Sequence, residues 1–290
     1  MPVRAAIPCI LFGLFIASLR AEGQEPARQG TPVETLEQLT GEKATEKDEI
    51  ETDRDSFTPA TTIVGRRRLI VESAYSFEDN RRVKETHSLP ELILRYGLTD
   101  RIELRLGWNY EVGGAGSATT GADASEGDTL LGGGSLLRES TLSYGVKFRV
   151  TDQDRWIPQS AVILQAFTPT SGEDTATQFV STAVAGWTLP NRWKFDTALR
   201  YGLDSEEGTR FNQWAPSAVL KVPLGEKFAA HAEYFGIYTT GKEANATKHF
   251  FSPGLHYLVS PDLEVGFRLG WGLNDQSARF FSNVGVGWRY

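Results

Sequence analysis

Apolar and polar residues alternate with a period of two along most of the chain from Leu69 onward. In residues 101–111 the apolar side chains occupy the even positions from Ile102 to Tyr110, and the charged or small ones occupy the odd positions. A strand points successive side chains to opposite faces, so this segment is predicted to be a strand with one apolar face. The same pattern predicts about twelve strands, at 68–77, 88–97, 101–111, 140–150, 159–168, 178–188, 193–202, 212–222, 228–238, 249–259, 263–272 and 279–290.

The connections between these segments alternate in length. Short turns at 98–100, 190–192, 223–227 and 260–262, with a longer one at 151–158, alternate with polar loops at 78–87, 112–139, 169–177, 203–211, 239–248 and 273–278. Short turns at one end and long loops at the other are typical of bacterial transmembrane barrels. The sequence therefore predicts an all-β fold, a transmembrane antiparallel up-and-down β-barrel of about twelve strands.

Aromatic residues cluster at the two ends of the apolar face. Two such belts are expected where a barrel meets the two lipid–water boundaries, whereas a soluble core would also place aromatics centrally. The outer-loop belt comprises Trp108, Tyr110, Tyr201, Trp214, Tyr238 and Trp271, and the short-turn belt comprises Tyr96, Trp193, Phe228, Tyr257, Trp288 and Tyr290. We expect the lipid bilayer of the bacterial outer membrane to surround this face, with the N-terminal tail and the C-terminus in the periplasm.

The chain divides into three predicted regions. Residues 1–21 have a basic start, an apolar stretch and a small residue for cleavage at Ala21, as in a secretory signal peptide. Residues 22–60 hold 11 acidic and 4 basic residues with few large apolar ones, so we expect a disordered acidic periplasmic linker. Residues 61–290 are the predicted outer-membrane barrel. The single cysteine, Cys9, lies in the signal, which excludes an intramolecular disulfide.

The polar face of the predicted strands carries charges of both signs. Charges inside a barrel can line an aqueous path and set its ion preference, or they can pair across the lumen and close it. A twelve-stranded barrel lies between small filled barrels and wide porins, so the sequence leaves both open. The candidate lumen-lining residues are Glu103, Arg105, Lys147, Arg149, Lys194, Asp196, Arg200, Lys221, His231, Glu233, His256, Glu264 and Arg268.

Candidate chemistry beyond a lumen is sparse. His231, Glu233 and His256 share the polar face and form a possible metal site, but hydrogen-bonded polar residues are the simpler interpretation, and we predict neither metal nor cofactor. His87 and Ser88 are adjacent and so face opposite sides of a strand, which argues against a hydrolase dyad. We therefore predict no enzyme activity and no catalytic residue. The net charge of −7 gives no support for nucleic-acid binding.

Two stretches resemble a known family. Asp53 to Pro59, followed by Val64-Gly65-Arg66 and Glu72 to Phe77, looks like the approach to the first strand of the "MetA-pathway of phenol degradation" outer-membrane proteins. Residues 90–108 are similar to a hairpin of the same family, and the resemblance extends over about 53–290. It implies a transporter-like barrel with a link to aromatic-compound degradation, and it carries over no ligand residues.

These observations favour a porin-like channel for small solutes, hydrophobic or aromatic compounds among them. The glycine-rich loop at 112–139 is the predicted constriction of the pore. The alternative is a closed structural or adhesive barrel without transport, and a barrel hydrolase ranks below both. The C-terminal strand alternates up to Tyr290 and resembles the signal that the barrel assembly machinery reads.

Overall fold

A computed structural model describes residues 49–54, 56–81, 84–113, 137–172, 176–206, 209–241 and 246–290. Twelve strands account for most of them, and a 3-10 turn, Pro190–Arg192, lies between the sixth and seventh. The strands are β1 (Leu69–Asp79), β2 (Thr86–Gly97), β3 (Ile102–Gly113), β4 (Leu137–Thr151), β5 (Gln159–Ser171), β6 (Gln178–Thr188), β7 (Lys194–Glu206), β8 (Thr209–Pro223), β9 (Phe228–Thr240), β10 (Ala246–Ser260), β11 (Leu263–Gly272) and β12 (Phe280–Arg289).

The strands form one closed barrel. Each strand pairs antiparallel with the next in sequence, and β1 closes the sheet against β12 in the register Ile70 to Arg289. Closure leaves no open sheet edge, which a spanning sheet in lipid requires. The predicted all-β, twelve-stranded, up-and-down architecture is confirmed.

The two ends of the barrel differ. The end that we call the turn end carries the connections at 98–101, 152–158, 189–193, 224–227 and 261–262. The opposite end, the loop end, carries those that follow β1, β3, β5, β7, β9 and β11. The predicted constriction at 112–139 belongs to the loop end, but residues 114–136 of it lie outside the described part of the chain.

The barrel is apolar outside and polar inside. On β3 the outward Leu104 and Leu106 are 42% and 46% exposed, whereas the inward Glu103 and Arg105 are 0% and 3% exposed. A soluble barrel would have the opposite arrangement, because exposed apolar surface in water is costly. The alternating sequence therefore forms strands whose apolar faces suit lipid and whose polar faces meet in the lumen.

Part of the chain before β1 lies inside this lumen. We call residues 49–54 and 56–64 the inner segment, and most of them are buried. The Ile50 N–H donates to the carbonyl of Pro261 at the turn end, and Phe57 packs on Phe235 in the middle of β9. The segment then returns toward the turn end, where the Val64 N–H reaches Glu103 near the start of β3. It is a re-entrant loop that enters and leaves at one end.

The inner segment corrects the predicted domain boundary. Residues 22–60 were assigned to a disordered linker outside the barrel, but residues 49–54 and 56–60 are packed against the inward side chains of the strands. The prediction is wrong for these residues because it rests on the scarcity of large apolar side chains, which excludes burial only in an apolar core. Inside a charged lumen a polar segment is buried by hydrogen bonds and ion pairs instead.

Candidate functional site in the barrel lumen

A carboxylate of the inner segment is held by three cations of the barrel wall. Asp53 Oδ2 lies 2.6 Å from Arg105 Nη1, 3.6 Å from Arg95 Nε and 3.6 Å from Lys147 Nζ. All four side chains are at most 1% exposed. The other oxygen, Oδ1, accepts the N–H of Ala60, so the segment folds back over its own carboxylate. A buried carboxylate at this depth requires such compensation.

Two carboxylates of the wall complete this cluster, which we call the charge cluster: Asp53, Glu72, Arg95, Glu103, Arg105 and Lys147. Arg95 Nη1 lies 2.8 Å from Glu72 Oε1, and Arg95 Nε lies 3.0 Å from Glu103 Oε1. Arg105 Nη1 also lies 2.7 Å from Glu103. With three cations and three carboxylates, the charge cluster is neutral only when Asp53 is in place.

The carboxylates of the wall also bind the backbone of the inner segment. Glu72 Oε2 accepts the N–H groups of Asp53 at 2.9 Å and Arg54 at 3.0 Å. Glu233, on the opposite wall, accepts the N–H groups of Phe57 and Thr58 and the hydroxyl of Thr58. Such charge-assisted hydrogen bonds are stronger than neutral ones. They fix the path of the segment across the lumen from β1 to β9.

Further polar contacts extend the same arrangement. Lys147 Nζ donates to the carbonyl of Ala60 at 2.6 Å, and Arg54 Nη1 lies 3.4 Å from Glu91 Oε2. Arg268 Nη1 lies 3.3 Å from Glu233 Oε2. The lumen charges are therefore paired with one another and with the inner segment at this level.

An aromatic slot receives the deepest residue of the inner segment. The Phe57 ring stacks on Phe235 with centroids 4.2 Å apart and an interplanar angle of 6°. Phe250 and Phe281 extend the cluster, since Phe250 lies 4.8 Å from Phe235 and 6.0 Å from Phe281. The guanidinium of Arg200 lies 4.6 Å from the Phe57 centroid, a cation–π distance. The slot suits a flat ring.

Two glycines of the wall allow the inner segment to approach closely. A Cβ built on Gly287 of β12 would lie 2.3 Å from Cγ2 of Thr52, and one on Gly97 of β2 would lie 2.3 Å from the carbonyl oxygen of Val64. Side chains at these positions would collide with the two legs of the segment. The wall is therefore shaped to hold it.

The predicted histidine group is a hydrogen-bonded pair. His231 Nδ1 and His256 Nε2 are 2.6 Å apart, and His256 Nδ1 lies 3.7 Å from Glu264, which accepts the Thr52 hydroxyl. Glu233, the third predicted member, instead binds the inner segment. Among the described residues, no group of three or more potential metal ligands is brought together.

The predicted lumen residues lie on the inward side of their strands at different depths. Arg149 pairs with Asp152 at the turn end, and Lys194 pairs with Glu51 of the inner segment. Lys221 and Glu264 are half-buried. The buried ones are Glu103, Arg105, Lys147, Asp196, Arg200, His231, Glu233, His256 and Arg268.

Sequence reasoning missed several residues of the site. The parity rule applied to β1 and β2 would have found Glu72, Glu91 and Arg95, which alternate with outward apolar residues. The inward Phe235, Phe250 and Phe281 interrupt the polar face and carry no such signal. Nothing local marks the inner segment as buried.

The predicted belt residues lie on the outward face. The rest of the protein covers their rings only partly or not at all, as expected for positions that contact lipid headgroups. The members are Tyr96, Trp108, Tyr110, Trp193, Tyr201, Trp214, Phe228, Tyr238, Tyr257, Trp271, Trp288 and Tyr290. Within the described part of the chain, no helix is long and apolar enough to cross a bilayer.

A closed antiparallel barrel with an apolar exterior and a charged interior is a transmembrane β-barrel. This one carries an inner segment across its lumen. The chain belongs to the family described as "Putative MetA-pathway of phenol degradation", whose model matches residues 52–290. The predicted family is confirmed, and the match begins within the inner segment.

Several solved structures are similar to this chain, and the NanC porin shows the same fold. The NanC porin is 12% identical with a TM-score of 0.50, and the match covers 76% of this chain and 98% of that one. The translocator domain of the autotransporter NalP from Neisseria meningitidis is 14% identical over 77% and 88%, with a TM-score of 0.48. The KdgM porin is 10% identical over 76% and 98%, with a TM-score of 0.44. A search of curated proteins gave no match.

Proposed function

We propose that this protein is an outer-membrane channel for small solutes and that the inner segment closes it. The observation that carries the proposal is the path of that segment, which contacts Glu72 and Arg95 on one wall and Glu233 on the other. A conduit lined by paired charges conducts only when its occupant moves aside. Water then solvates the groups that the segment had paired.

The contacts of the inner segment favour a removable occupant. Apart from the Phe57 ring and a small apolar cluster of Ile50 and Val64 with Ile70, the segment is held by hydrogen bonds and ion pairs. Hydrogen bonds to charged groups contribute about 1.5–3 kcal/mol each, because water replaces most of the interaction when they open. A permanent core would be joined by broad apolar packing, which water does not replace. The polar attachment therefore supports a gate.

Aromatic compounds are the proposed solutes. When Phe57 withdraws, the face of Phe235 and the guanidinium of Arg200 can contact another flat ring in its place. The family description names phenol degradation, which agrees with a solute of this kind. The deepest residue of the segment would then occupy the path that an aromatic solute takes.

The remaining expectations belong to the same proposal. Residues 1–21 would direct export, and the rest of the acidic region before Glu49 would lie in the periplasm with the turn end. The assembly machinery would read the terminal strand, in which Val286, Trp288 and Tyr290 face outward. The 112–139 loop would form a second constriction at the outer surface.

The second candidate function is a closed structural barrel. It is favoured by the dense pairing of the charge cluster, because a fully satisfied buried network rigidifies the structure that contains it. The two functions differ in whether the inner segment leaves the lumen.

A reversible lock on the inner segment tests the proposal. In a Cys9→Ala background, Thr58→Cys of the inner segment with Ser217→Cys of β8 would place two thiols where the hydroxyl oxygens of these residues lie 2.9 Å apart. We expect the oxidised full-length protein to be silent in a planar bilayer and to open after reduction. The control pair, Asp154→Cys with Ile157→Cys, bridges an exposed turn and leaves the inner segment untouched.

A second variant keeps the test decisive. Deletion of residues 49–64 should give a steadily open pore in barrels whose folding is verified by heat-modifiable migration on a gel. A folded deletion variant that remains silent, also when residues 114–136 are deleted with it, would reject the channel and favour the structural barrel.

A further inference from the structure

We propose that the wall groups around Asp53 form a carboxylate-binding site and that the solutes of the channel include small monocarboxylates. The inference rests on the proposed function, since Asp53 would occupy the position of a solute carboxylate. It adds a chemical class that the aromatic slot alone does not define.

The wall alone carries an unbalanced charge at this level. Without Asp53 the charge cluster keeps the cations Arg95, Arg105 and Lys147 but only two carboxylates, on Glu72 and Glu103. One positive charge of the charge cluster is then left over. In an Asp53→Ala variant, where the rest of the inner segment stays in place, this charge is buried and costs several kcal/mol, and in the open channel it still attracts an anion to the place that Asp53 leaves.

The register of the strands brings together the cations that require an anion at this position. Arg95 of β2 and Arg105 of β3 are direct partners across the sheet, an arrangement of like charges that is destabilising by itself. Glu103 contacts both guanidinium groups from one side, and Asp53 contacts both as well. Lys147 approaches Asp53 from β4, directly opposite Glu103. Three adjacent strands thus converge on one carboxylate.

The site fits a monoanion with a planar oxygen pair. Guanidinium groups present N–H donors in a plane that matches a carboxylate. Within the charge cluster the excess is a single positive unit, so a monocarboxylate restores the neutrality of the cluster, whereas a doubly charged phosphate or sulfate would leave a negative excess there. The whole Asp53 side chain has the size of acetate, and its carboxylate alone has the size of formate.

The site and the aromatic slot lie at different depths. Arg95, Arg105 and Lys147 stand near the turn-end limits of their strands, whereas Phe235 stands in the middle of β9. A solute with a ring and a carboxylate would meet the two sites in succession. The inner segment carries the same two groups, on Phe57 and Asp53, and blocks both.

Chemical rescue of an Asp53→Ala variant tests the inference without requiring conduction. We expect the detergent-folded variant to unfold at a lower temperature than the wild type. Sodium formate, which has the size of the carboxylate that the substitution removes, and sodium acetate should raise this midpoint in a concentration-dependent manner, because a ligand that binds only the folded state stabilises it. Sodium chloride and sodium sulfate at equal ionic strength should act less.

Matched variants separate the site from general salt effects. Asp262→Ala removes an exposed carboxylate paired with Arg289 and should show no preference for acetate. Adding Lys147→Met to Asp53→Ala should reduce the acetate effect at least several-fold. If Asp53→Ala does not fold, Asp53→Asn keeps the shape of the side chain, and its bilayer conductance should be lowered by acetate in preference to chloride.

The outcomes distinguish this inference from the proposed function. Equal effects of acetate, chloride and sulfate on Asp53→Ala would overturn the carboxylate site, even if the deletion of 49–64 conducts. A silent deletion variant would overturn the channel, while acetate rescue of Asp53→Ala would still establish the binding site. Acetate rescue together with conduction supports both.

Discussion

Asp53 and Arg105 form a 2.6 Å ion pair across 52 positions of sequence, and only Arg105 belongs to the barrel wall. The pair joins the inner segment to β3 at a point from which solvent is excluded. It makes the segment an integral part of the fold, and in the proposed function the balance between its retention and its release determines whether the lumen is closed.

Removal of Arg105 should destabilise the barrel strongly. Arg105→Met would leave the carboxylates of Asp53 and Glu103 short of one cation, and breaking a buried pair by removing one partner costs about 3–5 kcal/mol. Urea unfolding in detergent micelles measures the loss. Arg101→Met is the matched control, because its pair with Asp152 is 59% and 57% exposed and should contribute no more than about 1 kcal/mol. Equal losses in both variants would contradict the assigned role of the charge cluster.

The ring of Phe57 should govern how often the channel opens. Phe57→Ala removes a stacked, buried ring, a change that typically costs about 3–5 kcal/mol in a packed core. We expect a much higher open probability in single-channel recordings. Phe57→Leu should have a smaller effect, because it keeps apolar volume but loses stacking. Phe179→Ala, at an exposed position, serves as the control. If Phe179→Ala raised the open probability as much as Phe57→Ala does, stacking of Phe57 in the aromatic slot would not explain the closed state.

A side chain at Gly287 should displace the first leg of the inner segment. Gly287→Val would place its Cβ about where the Thr52 methyl group lies, so the segment must shift or the strand must bend. Solute leakage into liposomes should increase relative to the wild type. Gly202→Val is the comparison, since its nearest neighbour is 3.6 Å from a built Cβ. Unchanged leakage in Gly287→Val would argue that the path past Thr52 is not part of the gate.

A charge on the outer face should report contact with lipid. Leu106→Arg lies within β3 on the apolar exterior, where an arginine at the bilayer midplane costs about 2–4 kcal/mol. Unfolding from lipid vesicles should show this cost. Leu98→Arg, in an exposed turn, should be nearly neutral because interfacial depths tolerate the charge. A negligible cost at Leu106 would be inconsistent with a lipid-facing position.

The strands could be predicted from sequence because apolar and polar residues alternate within each strand according to the face on which they lie. The alternation from Ile102 to Tyr110 depends only on neighbours along one strand, and it identified β3 to within a few residues. The predicted loop at 203–211 was too long, since β7 reaches Glu206 and β8 begins at Thr209. Beyond the bilayer a strand needs no apolar face, so the periodicity ends before the strand does.

The site could be predicted only in part. The alternation of polar and apolar positions places Arg105 and Lys147 in the lumen. It does not identify Asp53 as their partner, because Asp53 belongs to a segment with the composition of a solvated linker. Burial inside a charged lumen follows charge complementarity over long sequence separations, and a window of neighbouring residues contains no information about it. The family resemblance from Asp53 to Pro59 was the one sequence signal that joined this segment to the barrel.

The inner segment enters and leaves the lumen at the turn end, between the Ile50 contact with Pro261 and the Val64 contact with Glu103. Because both ends of this loop lie at the turn end, the loop can leave the lumen only toward the side of the membrane that the turn end faces. A pulling force on the chain before Ile50 would break the contacts of Asp53 before those of Phe57. The backbone hydrogen bonds between the strands would not bear this force. Control of the pore would therefore belong to the compartment that holds the N-terminal region, whichever side the solute comes from.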